Sequence, residues 1–243
     1  MNVNKKIKSN AFGLSAFGLS AFTLKCIAIL SMLIDHIGAG LFPDQMWMRI
    51  VGRLAFPIFA FLLSEGFYHT RSIKRYAFRL GIFALISEIP FNLLHNDHIF
   101  DPDAQNIFIT LLIGLLTIYG VEKYRKHPRS YYSPAILLIG IMIAQLLRTD
   151  YGGFGVALIY IFHYFRDKRK IAAACVAVAN LAYGLLQSIS GYVPLQMLAG
   201  AAAIPILMYN GKKGYSMKYA FYAFYPAHIS VIMAIKYIVS IQL

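Results

Sequence analysis

Apolar residues run along this chain in long blocks, separated by short polar connections. Nine blocks can be drawn, at 24–43, 48–68, 77–95, 106–122, 133–150, 152–165, 171–189, 194–209 and 218–241. Most approach the roughly 20 residues that cross about 30 Å of hydrocarbon, and the sixth and eighth are short. Lipid offers backbone groups no partner outside the segment, so each block is predicted to be helical. The pattern predicts an all-α polytopic membrane protein with about nine transmembrane helices. Residues 1–23 form a basic, interfacial N-terminal segment, and residues 24–243 form a single transmembrane domain.

The connections alternate in charge. Lys5, Lys6 and Lys8 precede the first block; Arg71, Lys74, Arg75 and Arg79 follow the second. Lys123, Arg125, Lys126 and Arg129 follow the fourth, Arg166, Lys168, Arg169 and Lys170 the sixth, and Lys212, Lys213 and Lys218 the eighth. The intervening connections carry Asp44, then Asp97, Asp101 and Asp103. Eighteen of the 23 Lys and Arg thus fall on one side, which puts the N-terminus in the cytoplasm and the C-terminus outside.

Composition agrees with a membrane protein. Charged residues make up 14% of the chain and hydrophobic residues 59%, against about 25% charged in soluble domains. The net charge of +13 is therefore read as topology, and no nucleic-acid partner is expected. Cys26 and Cys175 lie in apolar blocks with neither disulfide nor metal spacing. The basic start followed by apolar residues resembles a signal peptide, but the apolar run continues, so it is read as an uncleaved first span in the cytoplasmic membrane. The repetitive "AFGLSAFGLSAFTLK" is read as an interfacial lead-in.

Ionisable groups inside these blocks need a reason, because each costs about 2.5–3.5 kcal/mol at a span centre. Asp35 and His36 are adjacent, so on a helix they point about 100° apart and serve different neighbours. They are read either as a packing pair or as a reacting imidazole with a carboxylate nearby. Arg49 is read as snorkelling to the interface. Arg53 lies one turn deeper beside Gly52, and Pro57 four residues on conflicts with the Arg53 carbonyl, which predicts a kink at a cation. Glu65 is read as pairing with His69 at i+4 or with the basic loop. Glu88 sits beside a proline, Asn106 opens the fourth span, Asp150 and Tyr151 close the fifth, and Tyr225 and Pro226 precede His228 in the last. With about 1.5 Å of rise per residue, these groups share the middle and outer half of the membrane.

The motifs "LIDHIG", "GRLAFPIFAFLLSEGF", "TRSIKRYAFRL", "DYGGFG" and "FYAFYPAHIS", with an Asn opening the fourth span, occur in that order over about residues 24–230. In these the chain resembles the TraX family, membrane acetylases named for conjugative pilin acetylation, and through it the wider transmembrane acyltransferases. That resemblance implies His36 as the central catalytic residue and acetyl-CoA as donor. It leaves the acceptor open: a peptide, sugar, lipid or polymer of the envelope.

Acyl transfer needs a base and donors for an oxyanion. A neutral His36 suits the base, Asp35 or Glu88 would stabilise its cation, and Arg53 and Asn106 are candidate oxyanion donors. His228, Tyr225, Asp150 and Tyr151 are candidates for placing the acceptor or relaying a proton. Arg71, Lys74, Arg75 and Arg79 are candidates for the CoA phosphates, although topology alone also explains basic loops. No metal is expected. The competing reading is a proton-coupled transporter or permease using the same Asp, His, Arg and Glu residues. A non-catalytic scaffold would leave that many buried ionisable groups without a purpose.

Overall fold

The computed structural model describes residues 18–96, 98–125 and 131–242. Residues 1–17 of the predicted lead-in, together with Asp97, Lys126 and Arg129, lie outside the described residues. The described chain is all-helical, with isolated bridges but no strand. Its helices are α1 (Ala21–Leu41), α2 (Met46–Gly52), α3 (Ala55–His69), α4 (Ile73–Asn96), α5 (Ile107–Tyr124), α6 (Tyr132–Leu146), α7 (Gly152–Tyr164), α8 (Arg169–Ile189), α9 (Ala203–Leu207) and α10 (Lys218–Gln242). A 3₁₀ segment, Leu195–Ala202, leads directly into α9.

Each predicted block coincides with one of these elements, the second with α2 and α3 together and the eighth with the 3₁₀ segment and α9. Among the described residues, six stretches are long and apolar enough to cross a membrane: α1, α2–α3, α4, α5, α8 and α10. Three apolar helices are shorter: Tyr132–Leu146, Gly152–Tyr164 and Leu195–Leu207. The chain is a multi-pass membrane protein. Its surface says the same, because Leu85 and Ile189 are 79% and 84% exposed on the outside of the bundle while charged groups sit within it.

The first helix starts at Ala21, three residues before the predicted start. Ser20 is its N-cap, and its hydroxyl accepts the Thr23 N–H at 3.2 Å. The segment after α9 docks here. Leu19 N–H donates to Met208 O, Ala21 N–H to Lys212 O and Phe22 N–H to Lys213 O. Two stretches nearly 200 residues apart in sequence are thereby tied at one end of the bundle.

The predicted break in the second span lies at Arg53 and Leu54, between α2 and α3. Proline accounts for its place. Pro57 has no N–H to donate to the Arg53 carbonyl, whereas in the first turn of α3 its missing N–H costs nothing. At the same end of the bundle, Gln105 N–H donates to Arg148 O and Asp150 N–H to Gln105 O. This pins the α6–α7 connection against the start of α5. Gly152, with φ of +51°, then turns the chain into α7 in a conformation that side chains with a Cβ disfavour.

α1 is the organising helix, packing against α2, α3, α4 and α10. α5 packs against α3, α4, α6 and α7, while α8 carries the 3₁₀ segment and α9 at the far side. The core at the junction of α1, α3, α5 and α10 is apolar and close-packed, with Leu24, Ala28, Ile58, Leu115, Ile118 and Ile229 fully buried.

Candidate functional site

Asp35 and His36 are both buried on α1 and reach to different helices, as their angular separation requires. Asp35 is held on both oxygens. Arg49 Nη1 donates to Oδ2 at 2.8 Å, and Arg53 Nη2 donates to Oδ1 at 2.9 Å. Arg49 also donates to the Asp35 carbonyl at 3.1 Å. The absence of a side chain at Gly52 allows this, since a Cβ there would overlap the Asp35 side chain. Asp35 therefore serves as counter-ion to two guanidinium groups and makes no hydrogen bond to His36. Arg49, read from sequence as an interfacial residue, is half of this clamp.

His36 instead meets α10. Its Nδ1 lies 2.6 Å from His228 Nε2. The ring planes are 6° apart with centroids at 4.9 Å, so the centroid separation equals the N···N distance plus a ring radius on each side. The rings thus lie in line, edge to edge. His228 Nδ1 is 2.7 Å from the Phe224 carbonyl, and a carbonyl can only accept, so Nδ1 of His228 carries a hydrogen. With His228 neutral, its Nε2 is the acceptor and His36 donates from Nδ1. The lone pair of His36 then resides on Nε2. His95 repeats the arrangement alone: its Nδ1 is 3.0 Å from the Phe91 carbonyl, which leaves Nε2 basic, and its ring packs edge-on to His36 at 6.3 Å.

Two cavities meet beside His36. One, of about 190 Å³, is polar and contains Asp35, His36, Arg49, Arg53, His95 and Asp150 in its lining, with Tyr151 stacked on Phe56 at its wall. The Asp150 carboxylate is exposed to this space and makes no hydrogen bond or ion pair among the described residues. The other, of about 300 Å³, is mainly apolar and runs toward the basic-loop end, where Lys25, His69, Arg79 and Lys213 line it. Lys213 is present because the segment after α9 docks on the start of α1. Met32, Phe59, Ile107 and Tyr225 line both cavities and form the septum between them.

Most of the remaining predicted residues fall outside this space. Asn106 is fully buried and caps α5. Its Oδ1 accepts the Phe108 N–H at 3.0 Å, and its Nδ2 donates to the Ala84 carbonyl at 2.8 Å and to Glu88 Oε2. Its amide is fully engaged in joining α4 to α5, and Glu88 is the partner of that amide, not of His36. His228 lies behind His36 and does not line the cavity. Of the four loop cations, only Arg79 lines the apolar cavity; Arg71, Lys74 and Arg75 are exposed elsewhere on the surface. Glu65 and His69 stand 3.8 Å apart at the i, i+4 spacing.

Sequence reading missed Arg49, His95, Lys25 and Lys213. Arg49 had a signal, since it lies four residues before Arg53 and hence on the same face of a helix. His95 had one too, because α4 returns to the Glu88 face after seven residues. Lys25 and Lys213 had none, since their proximity depends on a contact between the two ends of the domain.

The chain matches the family described as TraX protein over residues 20–236. It is 32% identical over 236 residues to the probable fimbrial assembly protein FimC, serogroup H1, of Dichelobacter nodosus, covering 87% of this chain and 93% of that one. It is 27% identical over 159 residues to an uncharacterized protein of Rickettsia prowazekii (strain Madrid E), covering 64% of this chain and 59% of that one. It is 24% identical over 186 residues to protein TraX of Escherichia coli (strain K12), covering 72% of each. No solved structure matches the chain.

Proposed function

The chain belongs to the TraX protein family, and on that premise we propose that it is an acyl-CoA-dependent acetyltransferase of the cytoplasmic membrane. It would move an acetyl group from cytosolic acetyl-CoA to an amine or hydroxyl of an envelope acceptor. The observation that carries this reading is the one-way hydrogen-bond chain from His36 through His228 to the Phe224 carbonyl. It fixes a basic Nε2 on His36 beside the point where a polar and an apolar cavity meet.

Each part has a use in acyl transfer. His36 Nε2 takes the proton of the attacking acceptor, and the resulting charge spreads onto His228 through the shared hydrogen bond. The His228 cation, in turn, is supported by the Phe224 carbonyl. This is the role an orienting partner plays for a catalytic imidazole. Arg49 and Arg53 each spend only part of their donor set on Asp35 and keep N–H groups for a polar acceptor. The apolar cavity suits the pantetheine arm, and Lys25, Arg79 and Lys213 at its mouth suit the CoA phosphates.

In this reading the chain crosses the membrane nine times, the basic-loop end is cytoplasmic, and the polar cavity lies toward the outside. Donor and acceptor would approach from opposite sides and meet at the septum. The Dichelobacter relative is named for fimbrial assembly, which makes pilus-type subunits the first acceptors to try.

Detergent-purified protein incubated with acetyl-CoA tests the reading. An acetyltransferase binds the donor saturably and transfers its acetyl group to acceptor from envelope extracts, releasing free CoA. A proton-coupled permease, the competing use of the same ionisable residues, does neither.

A further inference from the structure

Tyr225 carries an unexplained polar atom. The residue is 3% exposed, its side chain lines both cavities, and its hydroxyl has no hydrogen-bond partner among the described residues. An unsatisfied buried hydroxyl costs about 1–3 kcal/mol. Its position is nevertheless closely set, since the ring packs edge-on against His36 at 5.8 Å, Phe108 at 5.2 Å and His228 at 5.7 Å.

A second unused donor sits beside it. Asn106 caps α5 through the Phe108 N–H, and Ile109 N–H returns to the Asn106 carbonyl at 3.1 Å. The N–H of Ile107, the first residue of this 18-residue helix, makes no hydrogen bond among the described residues. It is directed at the Tyr225 hydroxyl oxygen in a contact that falls short of full hydrogen-bond geometry, and Ile107 also lines both cavities. The positive end of the α5 dipole adds to its field.

We propose that the Tyr225 hydroxyl and the Ile107 N–H form the oxyanion hole of the site, receiving the thioester carbonyl of the donor at the septum between the cavities. This rests on the acyltransferase reading. It replaces Arg53 and Asn106 in that role: Arg53 lines only the polar cavity, and the Asn106 amide is consumed in capping. As the acceptor nitrogen or oxygen bonds to the acetyl carbon, its proton passes to His36 Nε2 and the carbonyl electron pair moves onto oxygen. Both donors then point at that oxyanion. Collapse restores the C=O bond and breaks the C–S bond, and the departing CoA sulfur takes the proton from His36. Acetyl-CoA and acceptor are converted to acetylated acceptor and CoA, with nothing left over.

The orphaned hydroxyl is in this account a donor held ready for a charge that exists only in the transition state. It gives an unusual signature. Tyr225→Phe removes an unsatisfied polar atom, so thermal stability should hold or rise slightly. The single-turnover rate of CoA release should fall about 10²–10³-fold, as when one oxyanion donor is lost, with acetyl-CoA affinity unchanged within about twofold.

The deciding experiment uses the full-length protein in detergent with carbonyl-¹³C acetyl-CoA, in the His36→Ala background so that the donor persists. Infrared difference spectra should show the bound thioester carbonyl stretch at lower frequency than in solution, and Tyr225→Phe should move it back. A wild-type rate in Tyr225→Phe overturns the inference, and so does a slowed rate with an unmoved carbonyl stretch. If wild-type protein neither binds nor cleaves acetyl-CoA, the acyltransferase reading fails and takes the oxyanion hole with it. Binding with His36-dependent cleavage, alongside an indifferent Tyr225, removes the oxyanion hole alone.

Discussion

His36 Nδ1 and His228 Nε2 lie 2.6 Å apart in nearly parallel ring planes, joining two helices at opposite ends of the chain through one hydrogen bond. The bond has a direction because the Phe224 carbonyl at its far end can only accept. Replacing His228 with Phe removes the acceptor and frees His36 to adopt either tautomer. Single-turnover CoA release should fall about 10²-fold or more, with acetyl-CoA binding little changed. His228→Gln, which offers an amide oxygen to the same Nδ1–H, should recover part of the rate.

The Asp35 clamp predicts a coupled loss. Asp35→Asn leaves Arg49 and Arg53 without their counter-ion and removes charge-assisted hydrogen bonds of roughly 1.5–3 kcal/mol. Melting temperature and activity should fall together. Gly52→Ala should reproduce the effect from the other helix, because its new methyl would overlap the Asp35 side chain. An unaltered Gly52→Ala protein would show that α2 does not sit against Asp35.

The mouth of the apolar cavity predicts which cations meet the donor. Lys25→Gln with Lys213→Gln should weaken acetyl-CoA binding about tenfold, a loss of about 1.4 kcal/mol, with little change in the saturated rate. Substituting Arg71, Lys74 and Arg75 together should have much less effect, as these exposed residues do not line the cavity. Equilibrium binding of labelled CoA separates the two sets.

Orientation is tested by single cysteines placed in a chain lacking Cys26 and Cys175. Cysteine at Lys168 should react only with reagent on the cytoplasmic side, and cysteine at Asp101 or Ser190 only from outside. Labelling of the Lys168 position from outside would reverse the direction assigned to donor and acceptor.

The helices were legible because lipid permits little else, and so was the break after Arg53, because a proline's effect on the carbonyl four residues earlier is local. The divergence of Asp35 and His36 was legible for the same reason, as adjacent helical positions cannot face one partner. What each of them bonds to was not. His228 is 192 residues from His36, and an isolated His carries no mark of its partner. Asn106 was read as a reactive group because opening a buried span with an amide fits both capping and catalysis. Only the count of its hydrogen bonds separates the two. Arg49 was assigned to the interface from depth alone, although its spacing from Arg53 placed both on one face.

The central claim is that His36 transfers its acceptor's proton while acetyl leaves CoA, and rapid-quench measurement of CoA release tests it most directly. Wild-type protein and His36→Ala, matched for folding by thermal melt and for acetyl-CoA binding, are mixed with donor and envelope acceptor. Stoichiometric release by wild type, with none above background from His36→Ala, is the predicted result. Near-normal release from a folded, donor-binding His36→Ala protein would contradict it and return His36 to a packing role.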